Sequence, residues 1–115
     1  MKRGDTYLTR LDPVEGAEQS GTRPVVIVSR DSLNDSTSRV TIVSFTTYRG
    51  RPVGPHQALI AATGNGLRVD SVALCEQIRS VSKTRLLRRL GSLSAAEMAA
   101  IDRALGISLA LNSGP

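Results

Sequence analysis

The chain of 115 residues has one cysteine, one histidine, no tryptophan and three aromatic side chains, Tyr7, Phe45 and Tyr48. Each scarcity closes off a class of function. A lone Cys75 builds no disulfide framework, and with His56 as the sole imidazole no zinc site of the usual kind can form. A serine–histidine–aspartate relay would depend on His56, which follows Pro55 on an exposed loop and is poorly placed for it. A module that stacks bases on several aromatic platforms lacks the rings to do so. No phosphate-loop or dinucleotide glycine pattern occurs; Gly64-Asn65-Gly66 reads as a turn. No apolar run approaches membrane-spanning length, and Met1-Lys2-Arg3-Gly4-Asp5 lacks the apolar stretch of a signal peptide. The expectation is a cytoplasmic protein with no membrane partner.

What is present is positive charge and branched aliphatics. Fifteen Lys and Arg stand against ten Asp and Glu, giving a net charge of +5 and a pI near 10.3. That balance favours an anionic partner, either nucleic acid or an acidic protein segment. Arg79, Lys83, Arg85, Arg88 and Arg89 follow one another with no acid between them, and Arg49 and Arg51 sit on a loop. Hydrophobic content is 40% with mean hydropathy −0.08, so residues 1–115 read as one small domain with a Val, Ile, Leu and Ala core.

Residues Thr6 to Leu11 alternate as a half-buried strand. A loop from Asp12 to Thr22 follows, long for a connection and therefore a candidate functional loop. Pro24 to Ser29 contains Val25-Val26-Ile27-Val28, a strand buried on both faces, with Pro24 at its mouth. Asp31 to Ser38 is turn-rich, and Val40 to Thr46 is a third strand. Tyr48 to Pro55 is a second loop, Gln57 to Ala62 a short strand, and Ser71 to Ser80 a further one. Ser82 reads as the N-cap of a short basic helix over Lys83 to Leu90, stopped by Gly91. Ser94 and Glu97 form a capping box opening a final helix with Met98, Ile101, Leu105 and Leu109 on its apolar side. Its late apolar residues Ile107, Leu109 and Leu111 suit either a dimer surface or core packing. Short strands followed by helices predict a small, strongly bent antiparallel barrel, mainly β, with helical caps.

The polar residues at strand ends carry the candidate chemistry. Arg23 is held at the mouth of a rigid strand beside a polar loop, a good place to grip phosphate. A surface ion pair with Glu18 or Asp12 would explain it as well. Strand alternation puts Ser44 and Thr46 on one face and Val43 and Phe45 on the other. Arg, Thr and Glu together can cleave RNA without metal. A carboxylate takes the 2′-hydroxyl proton, Arg neutralises the phosphorane and a hydroxyl bonds a phosphate oxygen.

The chain resembles the MazF/PemK/Kid toxins. The matching stretches are Arg3-Gly4-Asp5, Leu11-Asp12-Pro13, Gly16, Glu18-Gln19, Gly21-Thr22-Arg23-Pro24-Val25, Asn34, Phe45-Thr46-Thr47, Asp70-Ser71-Val72 and Glu76-Gln77-Ile78-Arg79. They keep the family's order over nearly the whole length. The resemblance implies a small SH3-like barrel of the CcdB/PemK type with a C-terminal α-helix, and a homodimer. It implies a sequence-specific endoribonuclease that cuts single-stranded RNA, mRNA in particular, without cofactor or metal, and is restrained by a cognate MazE-like antitoxin. It puts the catalytic arginine at Arg23, the strand-end threonine at Thr46 and the acid at Glu18, with Gln19, Thr47, Glu76, Gln77 and Arg79 as RNA-binding residues. One branch of the family has histidine before the Glu-Gln pair; here the residue is Ala17, which removes an imidazole from the mechanism. A rival in the same fold is a non-enzymatic toxin that poisons a protein target such as DNA gyrase. A plain basic nucleic-acid-binding barrel accounts for the charge but not for Arg23, Thr46 and Glu18 together.

Overall fold

One long strand organises the molecule. The computed structural model describes residues 1–111, and in it β3 (Arg39–Thr47) is paired along both sides. On one side lies β2 (Thr22–Ile27), followed by β1 (Asp5–Arg10) and β7 (Leu86–Ser92). On the other side the first half of β3 pairs with β6 (Arg79–Ser82) and its last three residues with β5 (Ser71–Ala73), beyond which lies β4 (Ala58–Ile60). All these ladders are antiparallel. A short helix α1 (Asp31–Ser36) joins β2 to β3, and α2 (Ala95–Ser108) ends the described chain.

Alternation along β2 and β3 splits the core in two. Val26, Val43 and Phe45 point to one face, where Met98, Ile101 and Leu105 of α2 cover them. Val25, Ile27, Val40 and Ile42 point to the other and pack with Leu11 and Val81. The Val25–Ile27 run is therefore buried on both faces, as its four consecutive β-branched residues predict. Pro24 is tolerated because it sits where β2 pairs on one side only. Leu11 N–H donates to Gly21 C=O at 2.8 Å, and that phase turns the Pro24 nitrogen away from β1, while the ladder to β3 begins at Val25.

The sheet curls without closing through a strand ladder, since β4 and β7 do not pair. A loop bridges the gap instead. Thr6 Oγ1 donates to the Asn65 carbonyl at 2.9 Å within the buried interior. Gly66 has φ +99°, and a Cβ there would lie 2.5 Å from Thr6 Oγ1 and 2.8 Å from the Leu90 backbone. A Cβ on Gly91 would meet the Asn65 backbone at 2.7 Å. Two glycines thus let the β4–β5 loop lie directly on β7.

Three expectations are corrected. Lys83 to Leu90 is not a helix: Lys83–Arg85 is a single 3-10 turn, and the rest is the first part of β7 on β1. Ser82 does cap, accepting from Thr84 N–H, but only for that one turn. Ser71 to Ser80 is not one strand, because a 3-10 turn at Cys75–Gln77 interrupts it. Within the turn-rich Asp31 to Ser38 stretch lies the helix α1. The capping box is present: Glu97 N–H donates to Ser94 Oγ at 3.1 Å and Ser94 N–H to Glu97 Oε1 at 2.8 Å. Met98, Ile101 and Leu105 are buried as expected, whereas Ile107, Leu109 and Leu111 are exposed.

Candidate active site

The face of the sheet turned away from α2 becomes polar at one end. Along β3 the side chains on that face run Val40, Ile42, Ser44, Thr46, and along β2 they run Ile27, Val25, Arg23. Val25 stands opposite Ser44 in the ladder. Continued by two residues, that register sets Arg23 across from Thr46 on the same face. The ladder itself stops at Val25, since Pro24 turns a nitrogen without N–H toward β3, while Thr46 and Thr47 pair with Val72 and Ser71 of β5 along the opposite edge of β3. The strands part there, leaving a groove of about 580 Å³ bordered by Arg23, Thr46 and Thr47. Arg23 is half-buried and spends Nε on the Ser20 carbonyl at 2.9 Å. Among the described residues it has no carboxylate within 4.0 Å, so the ion pair with Glu18 or Asp12 does not form. Its Nη groups make no hydrogen bond or ion pair among the described residues and are left for an anion.

Glu18, Gln19, Glu76, Gln77 and Arg79 gather in a second, smaller pocket of about 230 Å³, and Ser44 reaches into it from β3. Ser44 and Thr46 are roughly 7 Å apart along the strand, so the acidic pocket adjoins Thr46 and Arg23 on one face, whereas the groove also takes Leu8, Pro24, Phe45, Thr47 and Arg88 from the other and opens where the strands part. The 3-10 turn at Cys75–Gln77 lifts Glu76 and Gln77 off the line of the sheet toward the first loop. Gln77 Oε1 accepts from Gln19 N–H at 2.8 Å, and this bond pins the loop. Glu76 accepts from Gln57 Nε2 at 2.8 Å, with His56 Nε2 at 3.9 Å. Arg79 reaches back under the loop to the Leu11 carbonyl at 3.4 Å. Glu18 itself is exposed on the loop. All eight sequence-predicted residues therefore line one of two neighbouring pockets, three in the groove and five in the acidic pocket.

Sequence reasoning missed four neighbours of the site. Gln57 and His56, at the end of the second loop, position Glu76. Arg68 and Arg88 border the arginine groove. Arg88 was hidden by the expected basic helix, although Leu8, its partner across the β1–β7 ladder, belongs to an alternating strand. Nothing in the local pattern around Arg68 marks it.

The titratable core group near the site is inert. Burial pushes the Cys75 thiol up to about 12, with Glu76 and Asp102 adding to the rise, so it is neither nucleophile nor metal ligand near neutrality. Among the described residues no three His, Cys, Asp or Glu side chains come together to hold a metal ion. No helix among the described residues is long and apolar enough to cross a membrane.

Known proteins share both sequence and shape with this chain. Endoribonuclease MazF9 of Mycobacterium tuberculosis is 43% identical over 116 aligned residues, covering 96% of this chain and 98% of its own. Endoribonuclease MazF of Staphylococcus epidermidis is 42% identical over 98% of this chain and 94% of its own. Among solved structures, a mycobacterial endoribonuclease in complex with its cognate antitoxin superposes with a TM-score of 0.80 at 26% identity, over 96% of both chains. MazF of Deinococcus radiodurans has the same fold, with a TM-score of 0.81 over 96% of both chains. Residues 2–109 match the family described as the PemK-like, MazF-like toxin of type II toxin–antitoxin systems, and the chain belongs to that family.

Proposed function

We propose that this toxin is a sequence-specific endoribonuclease that cuts single-stranded RNA, mRNA above all, without a metal ion, and so halts translation and growth. The observation that carries the reading is the half-buried Arg23, free of any carboxylate partner among the described residues and in register with Thr46 beside an open groove. The Glu18 carboxylate takes the proton of a 2′-hydroxyl, and the freed 2′-oxygen attacks the adjacent phosphorus. Arg23 neutralises the phosphorane and Thr46 Oγ1 donates to a phosphoryl oxygen. The 5′-oxygen leaves, takes a proton from water, and the products are a cyclic phosphate and a 5′-hydroxyl end. With Ala17 before Glu18, no imidazole serves at that position. Gln19, Thr47, Glu76, Gln77 and Arg79 hold flanking nucleotides, the amides of Gln19 and Gln77 being suited to base edges.

The toxin works in the cytoplasm as a homodimer, using apolar surface that includes the exposed Ile107 and Leu109. Its partner is a MazE-like antitoxin, an acidic flexible chain matched to the protein's net charge of +5. Incubation with single-stranded RNA in excess EDTA tests the reading. Cleavage at a rate similar to that in magnesium, with 5′-hydroxyl ends, is the expected result. Strict magnesium dependence would overturn the mechanism, and intact RNA under both conditions would overturn the activity.

A further inference from the structure

The arginine groove has no negative charge of its own. Its lining holds Arg23, Arg68 and Arg88 together with the hydroxyls of Thr22, Thr47 and Ser71, and contains no Asp or Glu among the described residues. Both carboxylates of the site lie instead in the neighbouring pocket. We propose that Arg68 and Arg88 are positioning residues that grip backbone phosphates of the RNA flanking the cleaved bond.

The two arginines are suited to this by what they do not touch. Arg89, the next residue along β7, is committed to Asp5 with Nη2 at 3.3 Å from Oδ1. Arg88 projects from the opposite face of the same strand and, like Arg68, has no carboxylate within 4.0 Å among the described residues. Both are exposed at the groove's rim. Their supports are firm, since Arg88 stands in the β1–β7 ladder opposite Leu8, and Arg68 follows the Asn65–Gly66 segment seated on β7. Three guanidinium groups around one groove would repel one another with no acid to offset them, and an anionic strand relieves that repulsion. Arg23 borders the same groove where β2 and β3 part, so a strand presenting its phosphate to Arg23 carries its next charges along the groove. Phosphate contacts fix register without reading sequence, so these residues act on binding and not on the chemical step.

This inference rests on the endoribonuclease reading, and the experiment separates the two. Arg68→Gln, Arg88→Gln and the double variant are compared with Arg103→Gln, which removes one exposed charge from α2 away from the groove. Binding to a mixed-sequence single-stranded DNA oligonucleotide, which has no 2′-hydroxyl to react, is titrated across salt. Each phosphate contact contributes a slope of about 0.7 in log affinity against log salt for single strands. The double variant should lose about 1.4 of slope and Arg103→Gln none. In RNA cleavage the double variant should raise KM at least about tenfold, with kcat within about twofold of wild type, as a loss of uniform binding does. An unchanged slope and KM in a double variant of wild-type thermal stability would overturn the proposal. So would normal oligonucleotide binding combined with lost affinity for an acidic, apolar-containing peptide, which would make the groove a peptide site. Arginine-dependent binding in a wild-type protein that cuts no RNA would support the groove assignment and remove the nuclease reading alone.

Discussion

At the scale of single residues, those that carry the family resemblance divide into two kinds of work. Asn34 is buried and closes a turn, its Nδ2 donating to the Ser29 carbonyl at 2.9 Å. Asp70 accepts from Ala62 N–H at 2.8 Å, and Gly4 takes φ +95° before β1. These hold the frame. Arg23, Thr46, Glu18 and Gln77 border open pockets, and their replacement should spare the fold. Arg23→Ala should lower cleavage at least about a hundredfold, or roughly 3 kcal/mol of transition-state stabilisation. Near-normal turnover by the folded variant would remove Arg23 from the mechanism. Thr46→Val should damage turnover far more than Thr47→Val, because Thr46 shares the face of Ser44 and Arg23 while the exposed Thr47 points to the other. Measured kcat values decide it: a worse Thr47 variant would mean that the reacting phosphate lies on the α2 side of the sheet.

Among the elements, the doubly paired β2 and β3 and the short edge strand β4 were legible, and the edge strand β7 was not. The Val25–Val28 run announces burial on both faces whatever its neighbours, and Ser94 with Glu97 announces a helix start. Leu86, Leu87 and Leu90 fit a helical spacing equally well, and only the open edge of β1, invisible in sequence, recruits them into a ladder. Likewise the 3-10 turn at Cys75–Gln77 has no marker in an apolar run, yet it brings Gln77 to Gln19. The site was therefore legible as a set of residues but not as two pockets. The α2 cap supplies a test at this scale. Burial pushes the Glu97 carboxyl up, but hydrogen bonds from Ser94 N–H, Thr63 Oγ1, Ser94 Oγ and Asn65 Nδ2 outweigh it, and the group lies below its ordinary value. A carboxyl lowered in the folded state stabilises above its unfolded pKa of about 4.3, and that contribution fades as pH falls through the folded value. Thermal midpoints of wild type and Glu97→Gln should thus differ fully above about pH 5 and converge on further acidification. A gap independent of pH would show that the carboxylate's charge plays no part. Ser94→Ala should cost about 1 kcal/mol at neutral pH by the loss of the cap.

For the molecule as a whole, charge is the organising quantity. A disordered acidic antitoxin tail should lie across the RNA site and displace the first loop around Glu18, whose tether to the turn is a single Gln77–Gln19 hydrogen bond. Charge speeds docking, while apolar side chains of the tail supply most of the holding power. Its association rate should fall as salt rises, with dissociation changing much less, and RNA and antitoxin should exclude each other. Stopped-flow association across salt and a competition titration measure both. A stable ternary complex of toxin, intact antitoxin and uncleaved RNA at one site would sink the idea.

The paired glycines at 66 and 91 give the two walls of the site different freedoms. The wall carrying Arg68 rests on a backbone-to-backbone seat in which neither residue can gain even a methyl group without a shift, so its shape is nearly incompressible to mutation. The wall carrying Glu18 and Gln19 is anchored at its ends by Arg85 and Arg23 but meets the Cys75–Gln77 turn through one side-chain amide, so its middle can lengthen or change composition at little energetic cost. Drift in the RNA sequence that such a toxin selects should accumulate in the loop between β1 and β2, while the grip on the sugar–phosphate chain stays constant. A change of target then needs no rebuilding of the cutting machinery.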